Sequence, residues 1–212
     1  MRKSVNLSDV EIARAVRGNG IGKPLTYLSK EEVERFFRVI PAENTRDQLL
    51  FELIYRHGLR RVEAALLKLE DISNDRIWIA RVKRGVSGEY PLHPRSQQLV
   101  AAYLINRRFD GSRYLLRSRQ NRPIPLSTTT IYAAFRSYAA AAGLPVDKRH
   151  PHVLRHSIAV HLMNAGADAA DVQDWLGHVN IATTMIYAQV TNKRREETFR
   201  TLVQSPEIAH AT

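Results

Sequence analysis

Hydrophobic residues recur along most of the chain at the three- and four-residue spacing of amphipathic helices. A clear case is residues 45–57, where Leu49 and Leu53 fall on one face and Gly58 follows as a C-terminal cap. Another helix, over residues 29–40, opens with a capping box at Ser29. The same spacing predicts helices at about residues 62–67, 96–108, 128–142, 153–165, 169–176, 181–189 and 192–203.

One stretch changes to the two-residue alternation that is typical of a β-strand. Residues 76–82 alternate in this way, glycines at positions 85 and 88 indicate a turn, and residues 89–92 return, which predicts a β-hairpin. Residues 114–116 are a candidate for another short strand. The predicted fold class is therefore α+β, mostly helical, with one small antiparallel β-sheet. We expect a basic N-terminal arm over residues 1–24, ended by a glycine-rich breaker, and one domain over residues 25–212.

The composition is that of a globular protein with a large excess of positive charge. The chain has 212 residues, of which 44% are hydrophobic and 25% charged, enough to bury a core. Lys and Arg number 32 against 21 Asp and Glu, which gives a net charge of +11. Such an excess points to a polyanionic partner, namely DNA, RNA or an anionic membrane surface. A basic surface without a binding role is the alternative.

The absence of cysteine and of long apolar runs excludes several kinds of site and several classes of protein. The sequence contains no cysteine, which excludes disulfides, zinc–thiolate sites and a cysteine nucleophile. Its first residues lack the apolar core of a signal peptide, and no apolar run approaches the roughly 20 residues of a membrane helix. We expect a cytoplasmic protein with no membrane partner.

The segment 150–161 carries the most informative group of polar residues. His152 and Arg155 lie three positions apart near the start of a predicted helix, so they share a face beside free backbone N–H groups. This arrangement suits a phosphate, because a guanidinium matches two phosphate oxygens and keeps its charge. His152 and His156 also have metal-ligand spacing, but no acidic ligand is near and Arg155 would repel a cation, so we predict neither metal nor cofactor. We predict His156 and His161 to be capping or core residues.

A second stretch begins at the end of the predicted helix 169–176 and contains Leu176-Gly177-His178 and then Tyr187. On its own, this tyrosine would be a half-buried packing residue. Together with His152-x-x-Arg155-His156, however, these residues resemble one signature block of the tyrosine recombinases, or phage integrase family. The family's other block is similar to Gly58-Leu59-Arg60-Arg61-Val62-Glu63-Ala64, and Lys83 lies in the hairpin where the family carries its catalytic lysine. The resemblance covers about residues 25–203, and the ordered set is far more specific than either block alone.

The resemblance implies an enzyme that cuts and rejoins DNA at specific sites through a covalent 3′-phosphotyrosine, without metal or ATP. Tyr187 is similar to the family's nucleophile. By the same resemblance, Arg60 and Arg155 would bind the non-bridging phosphate oxygens, and Lys83 would protonate the leaving 5′ oxygen. Because basic residues flank Lys83, a simple contact with the DNA backbone is the alternative for it.

The remaining residues have roles that also come from the resemblance. His152 would accept or donate the proton of the nucleophile, and His178 would hydrogen-bond the phosphate. Glu63 would anchor the site from behind, with a surface salt bridge as the alternative. These considerations make Arg60, Lys83, His152, Arg155, His178 and Tyr187 the predicted catalytic residues.

Assembly and location follow from the resemblance too. It implies double-stranded DNA as the partner, a homotetramer on paired DNA sites, and a monomer or weak oligomer without DNA. The predicted helix at 192–203 is a candidate for exchange between protomers, while packing on its own domain is the alternative. The expected location is the cytoplasm of a prokaryote, in association with the nucleoid.

The chain departs from the family in its N-terminal length. Only about 25 residues precede the predicted fold, whereas most family members carry a separate helical domain there. In this respect the chain looks more like the short fimbrial phase-switch recombinases than like Cre or the Xer recombinases, and a separately expressed catalytic domain is the other interpretation. A catalytically inactive DNA-binding protein on the same fold is the alternative function, and a type IB topoisomerase-like enzyme is a third. The complete set of residues favours a recombinase, because a binding protein has no need of the tyrosine.

Overall fold

Helices form most of the computed structural model, which describes residues 25–82, 85–107, 111–118, 123–188 and 199–200. The α-helices in this part are α1 (Lys30–Arg38), α2 (Thr45–Arg56), α3 (Arg61–Leu66), α4 (Pro94–Asn106), α5 (Thr128–Ala141), α6 (His152–Asn164), α7 (Ala169–Leu176) and α8 (Ala182–Ala188). Short 3₁₀ turns lie at Leu69–Asp71 and Val146–Lys148. The predicted helices up to residue 188 are confirmed, with small shifts at their ends. The arm at 1–24 and nearly all of the predicted helix at 192–203 lie outside the described residues.

A three-stranded antiparallel sheet separates α3 from α4 in the chain. Its strands are β1 (Ile72–Ser73), β2 (Arg76–Ile79) and β3 (Gly88–Pro91), in the order β1-β2-β3. The predicted hairpin is thus confirmed, but β2 ends three residues early, because the backbone N–H of Arg81 donates to the Ser87 hydroxyl at 2.9 Å rather than to a strand. The predicted strand at 114–116 is reduced to a single bridge, between Tyr114 and Lys68.

The core forms around α2, which packs against both α4 and α6. Almost every apolar side chain of α2 is buried, and an aromatic cluster joins it to α1 and α5. In that cluster the ring of Phe36 lies 5.3 Å from Phe51 and 4.7 Å from Phe135. α6 in turn packs against α7 and α8. The core therefore fixes the end of α2 close to α6, α7 and α8.

Glycines with positive φ reverse the chain at two helix ends that face each other. Gly58 follows α2 with a φ of 56°, and Gly177 ends α7 with a φ of 62°. A Cβ atom on Gly58 would overlap with Cδ2 of the buried Leu176, and one on Gly177 would lie 2.7 Å from the Val86 carbonyl oxygen. Glycine is therefore required at both positions by the positive φ, at Gly58 also by the approach of Leu176, and at Gly177 also by the approach of the chain at Val86.

The helix α5 combines a packed face with an exposed one. Ile131 and Phe135 are buried, while Tyr132 and Arg136 are exposed. The guanidinium groups of Arg61 and Arg136 lie 5.4 and 5.9 Å from the centroid of the Tyr132 ring. A basic and aromatic surface thus extends from α3 along α5. Among the helices described, none combines the length and the apolar composition needed to cross a bilayer.

Candidate active site

Arg60 lies immediately before α3, on the turn that Gly58 begins. Its guanidinium donates to Glu63 Oε1 at 2.6 Å, and its backbone N–H donates to Glu63 Oε2 at 2.8 Å. Glu63 is only 3% exposed. The predicted anchoring role of Glu63 fits this geometry, and the surface salt bridge is wrong because the carboxylate is buried. Burial acts to raise the pKa of Glu63, but the hydrogen bonds from Arg60 and the charge of Arg81 hold that pKa below its ordinary value.

Arg155 reaches the same turn from α6 and is 3% exposed. One of its Nη atoms donates to the Gly58 carbonyl, and the other donates to the Leu176 carbonyl at 2.9 Å. Burial, with the charges of Arg60 and Arg81, lowers the pKa of Arg155 to about 10. The guanidinium therefore stays charged at neutral pH and is fixed between the ends of α2 and α7.

Tyr187 is carried by α8 and is 2% exposed. Its phenol oxygen lies 3.0 Å from Nδ1 of His156. Burial raises the pKa of the phenol, while the charges of Arg155 and Arg60 act in the opposite direction. The packing of α8 on α6 thus brings the predicted nucleophile within the field of both predicted phosphate-binding arginines.

The two predicted catalytic histidines lie within the field of the same two arginines. His178, on the turn after α7, is buried, and its Nδ1 lies 2.9 Å from the Thr184 hydroxyl. Burial and the charge of Arg155 lower the pKa of His178 to about 4. His152 is exposed at the start of α6, and partial desolvation together with Arg155 lowers its pKa. Both shifts favour the neutral ring, in which one nitrogen donates and the other accepts.

Lys83, the remaining predicted catalytic residue, lies outside the described residues. The chain on its C-terminal side contacts the turn that carries His178: the backbone N–H of Val86 donates to the Gly177 carbonyl at 3.2 Å. The described part of the chain holds no group of three His, Asp or Glu side chains placed to bind a metal ion. The structure thus brings together five of the six predicted residues.

Two residues at the site were not predicted from the sequence. His156, which we expected to be a capping or core residue, instead contacts Tyr187, and burial and the neighbouring His152 lower its pKa to about 4. By contrast, His161 is a core residue, as predicted, whose Nδ1 lies 2.8 Å from the Tyr55 hydroxyl.

The second unpredicted residue is Arg81, whose side chain is 0% exposed in its ion pair with Glu63. A signal for its burial was present in the sequence. The alternation that points Ile77 and Ile79 inward also points position 81 inward, because side chains two residues apart share a strand face. The position of its carboxylate partner, distant in the chain, could not be inferred in the same way.

The model of the phage integrase family matches residues 26–194. The chain belongs to the phage integrase family. Tyrosine recombinase XerA of Pyrococcus furiosus is 37% identical over 191 residues, which cover 88% of this chain and 65% of that protein. A crystal structure of XerA recombinase superposes with a TM-score of 0.73 at 25% identity, over 86% of this chain and 65% of the other. XerH recombinase bound to a palindromic difH substrate gives a TM-score of 0.71 at 28% identity, over 84% and 53% of the two chains.

These similarities confirm the predicted family and the predicted fold. The chain spans less than two thirds of the length of these relatives. The expected similarity to the short fimbrial phase-switch recombinases is not shown, since the relatives reported above are Xer recombinases. That expectation rested on the number of residues before the fold, which says nothing about similarity within it.

Proposed function

We propose that this member of the phage integrase family is a site-specific recombinase that cuts and rejoins double-stranded DNA. The observation that carries the proposal is the phenol of Tyr187, buried in the field of the two fixed guanidinium groups of Arg60 and Arg155. The names of the relatives, all tyrosine recombinases, support the same activity. They give no support to the alternative of an inactive DNA-binding protein.

The proposed cleavage step uses side chains only. The phenol oxygen of Tyr187 attacks the scissile phosphorus, the bond from phosphorus to the 5′ oxygen breaks, and that oxygen takes a proton from Lys83. Arg60 and Arg155 bind the non-bridging oxygens, and each such donor is worth about 3–4 kcal/mol of barrier. The 3′-phosphotyrosine keeps the energy of the broken ester, so a 5′ hydroxyl can reverse the step without ATP.

The phenol proton needs an acceptor, and we assign it to His156. Nδ1 of His156 lies 3.0 Å from the phenol oxygen, which is within proton-transfer distance. A pKa of about 4 keeps the ring neutral at pH 7, so that it can accept the proton. His152, whose ring centroid lies 6.3 Å from that of His156, is the proposed second donor or acceptor. Nδ1 of His178 lies 2.9 Å from the Thr184 hydroxyl. We assign His178 the tautomer in which that hydroxyl donates to Nδ1, so that Nε2 carries the hydrogen and would donate it to the phosphate.

The proposal extends to domains, assembly and location. We assign residues 25–212 to the catalytic domain and residues 1–24 to a basic arm. Recombination needs four strand cuts in two duplexes, so we propose a homotetramer on paired DNA sites and a monomer or weak oligomer without DNA. Exchange of residues 192–203 would link the protomers. The proposed place of action is the cytoplasm of a prokaryote, at the nucleoid.

A covalent-adduct assay tests the proposed chemistry. The protein is incubated, in excess EDTA, with a library of random-sequence duplexes that carry one nick, and adducts that survive SDS are isolated and sequenced. We expect wild-type protein to form an adduct and Tyr187→Phe to bind DNA without forming one, because only the phenol oxygen is lost. An adduct with Tyr187→Phe would identify another nucleophile, and strict dependence on a divalent ion would contradict the metal-free step. Binding by wild-type protein without any adduct would favour the inactive alternative.

A further inference from the structure

Arg81 lies behind the phosphate-binding arginines and is completely enclosed by protein. Its Nη1 donates to Glu63 Oε2 at 3.0 Å and to the Gly58 carbonyl at 3.4 Å. Its Nη2 donates to the carbonyls of His57 at 3.2 Å and Trp175 at 2.7 Å. Since its side chain is 0% exposed, Arg81 has no access to DNA and must act through the groups that it contacts.

The first of these groups is the carboxylate that Arg60 also contacts. Glu63 Oε1 accepts from the Arg60 guanidinium at 2.6 Å and from the Val82 N–H at 3.2 Å, while Oε2 accepts from the Arg60 N–H and from Arg81. One negative charge is thus shared between two guanidinium groups. If Arg60 alone paired with Glu63, their charges would cancel. With Arg81 present, the cluster of Arg60, Arg81 and Glu63 keeps one net positive charge.

The second contact is with the turns that hold Arg155. Arg81 and Arg155 share the Gly58 carbonyl, and they bind the adjacent carbonyls of Trp175 and Leu176 at 2.7 and 2.9 Å. These carbonyls lie at the ends of α2 and α7, where helices leave acceptors unpaired and carry a partial negative charge. Arg81 therefore braces the same two helix ends that orient Arg155.

We propose that Arg81 is a positioning residue for DNA cleavage: it offsets the charge of Glu63 and braces the Gly58 turn, so that Arg60 and Arg155 hold surplus positive charge at the scissile phosphate. This inference rests on the proposed function. The phosphate gains negative charge as the phenol attacks, so surplus positive charge stabilises the transition state more than the bound substrate.

The test compares two substrates that differ only in charge. Adduct formation is timed at saturating protein on a nicked duplex whose scissile group is either the normal phosphate or an uncharged methylphosphonate. Arg81→Met should slow the reaction of the phosphate by about 100-fold, the size of effect that follows the loss of one preorganised donor to the developing charge. It should slow the methylphosphonate by less than about tenfold, because less charge has to be balanced. Arg81→Lys keeps the charge and should recover most of the phosphate rate.

A matched control separates this effect from the loss of an ion-paired arginine elsewhere in the fold. Arg46 pairs with the buried Asp47 at 2.7 Å at the start of α2, at the opposite end of that helix from Gly58. Arg46→Met should leave the rates on both substrates unchanged. Equal slowing of both substrates by Arg81→Met, or no slowing of either, would overturn the proposal.

A further variant covers the case in which Arg81→Met does not fold, which circular dichroism would detect. The double variant Arg81→Met/Glu63→Gln removes the carboxylate that would otherwise be buried with too few partners. The double variant restores the net charge at Arg60. It should therefore prefer the phosphate over the methylphosphonate to the same degree as wild-type protein, although at a lower rate. Loss of that preference in the folded double variant contradicts the charge argument. If wild-type protein forms no adduct at all, the proposed function itself has failed, which is a distinguishable outcome.

Discussion

Gly58→Ala tests whether the turn between α2 and α3 is as tightly constrained as the structure indicates. The residue has a φ of 56°, and a non-glycine residue in that left-handed region loses about 1–2 kcal/mol. The new methyl group would also overlap with Cδ2 of Leu176, which is fully buried and has little room to move. Overpacking of that kind typically costs about 1–3 kcal/mol. The two effects together predict a loss of about 2–5 kcal/mol in the free energy of unfolding.

Gly143→Ala is the matched control for the backbone part of this loss. Gly143 follows α5 with a φ of 68°, close to that of Gly58, but a Cβ atom there would meet nothing within 4 Å. It should therefore lose only the backbone contribution, about 1–2 kcal/mol. The difference between the two variants isolates the contact with Leu176, which we expect to be about 1–3 kcal/mol.

Urea unfolding followed by circular dichroism measures both losses under one set of conditions. Adduct formation should fall with Gly58→Ala and not with Gly143→Ala, because the Gly58 carbonyl accepts hydrogen bonds from Arg81 and Arg155. Equal destabilisation by the two alanines would refute the steric argument. An unchanged cleavage rate in a folded Gly58→Ala variant would show that the turn does not orient the arginines.

Two further predictions concern histidines. His156→Ala should slow adduct formation by about 100-fold or more, as expected for loss of a general base. The control His161→Ala removes a similar histidine–tyrosine hydrogen bond elsewhere on α6 and should leave the rate unchanged. Equal effects of the two variants would exclude a role for His156 in the reaction. Acid should destabilise the fold, since burial lowers the pKa of His57 and His178 from 6.5 to about 4. Between these values the unfolded chain binds more protons, so stability is complete above about pH 6.5 and is lost as the pH falls towards 4, by at most about 3 kcal/mol per histidine. Urea unfolding at several pH values measures how steeply the free energy of unfolding falls with pH, and His57→Phe should make that fall less steep. An unchanged pH dependence in this variant would contradict the lowered pKa of His57.

The features that could be predicted from the sequence are those that depend on neighbours in the chain. The capping box at Ser29 formed as expected, with its hydroxyl accepting from the Glu32 N–H, because both partners lie within one turn. The pair of Arg60 and Glu63, three residues apart at a helix start, belongs to the same class. The hairpin followed from alternation and glycine positions, which are also local.

The features that escaped prediction depend on how distant elements pack. The partner of Tyr187 is His156, 31 positions away, and this contact is set by the packing of α8 on α6. The contact of Arg81 with Trp175 spans 94 positions and depends on the approach of the hairpin to the end of α7. No local spacing encodes such distances, although the inward strand position of Arg81 was an available signal.

The site brings three positively charged side chains close together, and its proposed function explains why the fold contains this electrostatic repulsion. Arg60, Arg81 and Arg155 lie around one carboxylate, which Arg60 and Arg81 contact, and the lowered pKa of Arg155 reflects burial together with repulsion from the other two arginines. The carbonyls at the ends of α2 and α7 and the carboxylate of Glu63 offset part of that repulsion, so the fold tolerates the cluster. A phosphate bound between Arg60 and Arg155 would relieve the rest, and the relief would grow as the phosphorus gains negative charge in the transition state. Glu63 and the backbone carbonyls already hold these guanidinium groups, so under the proposed function they would need no rearrangement when that charge develops, and the repulsion between them would contribute to catalysis.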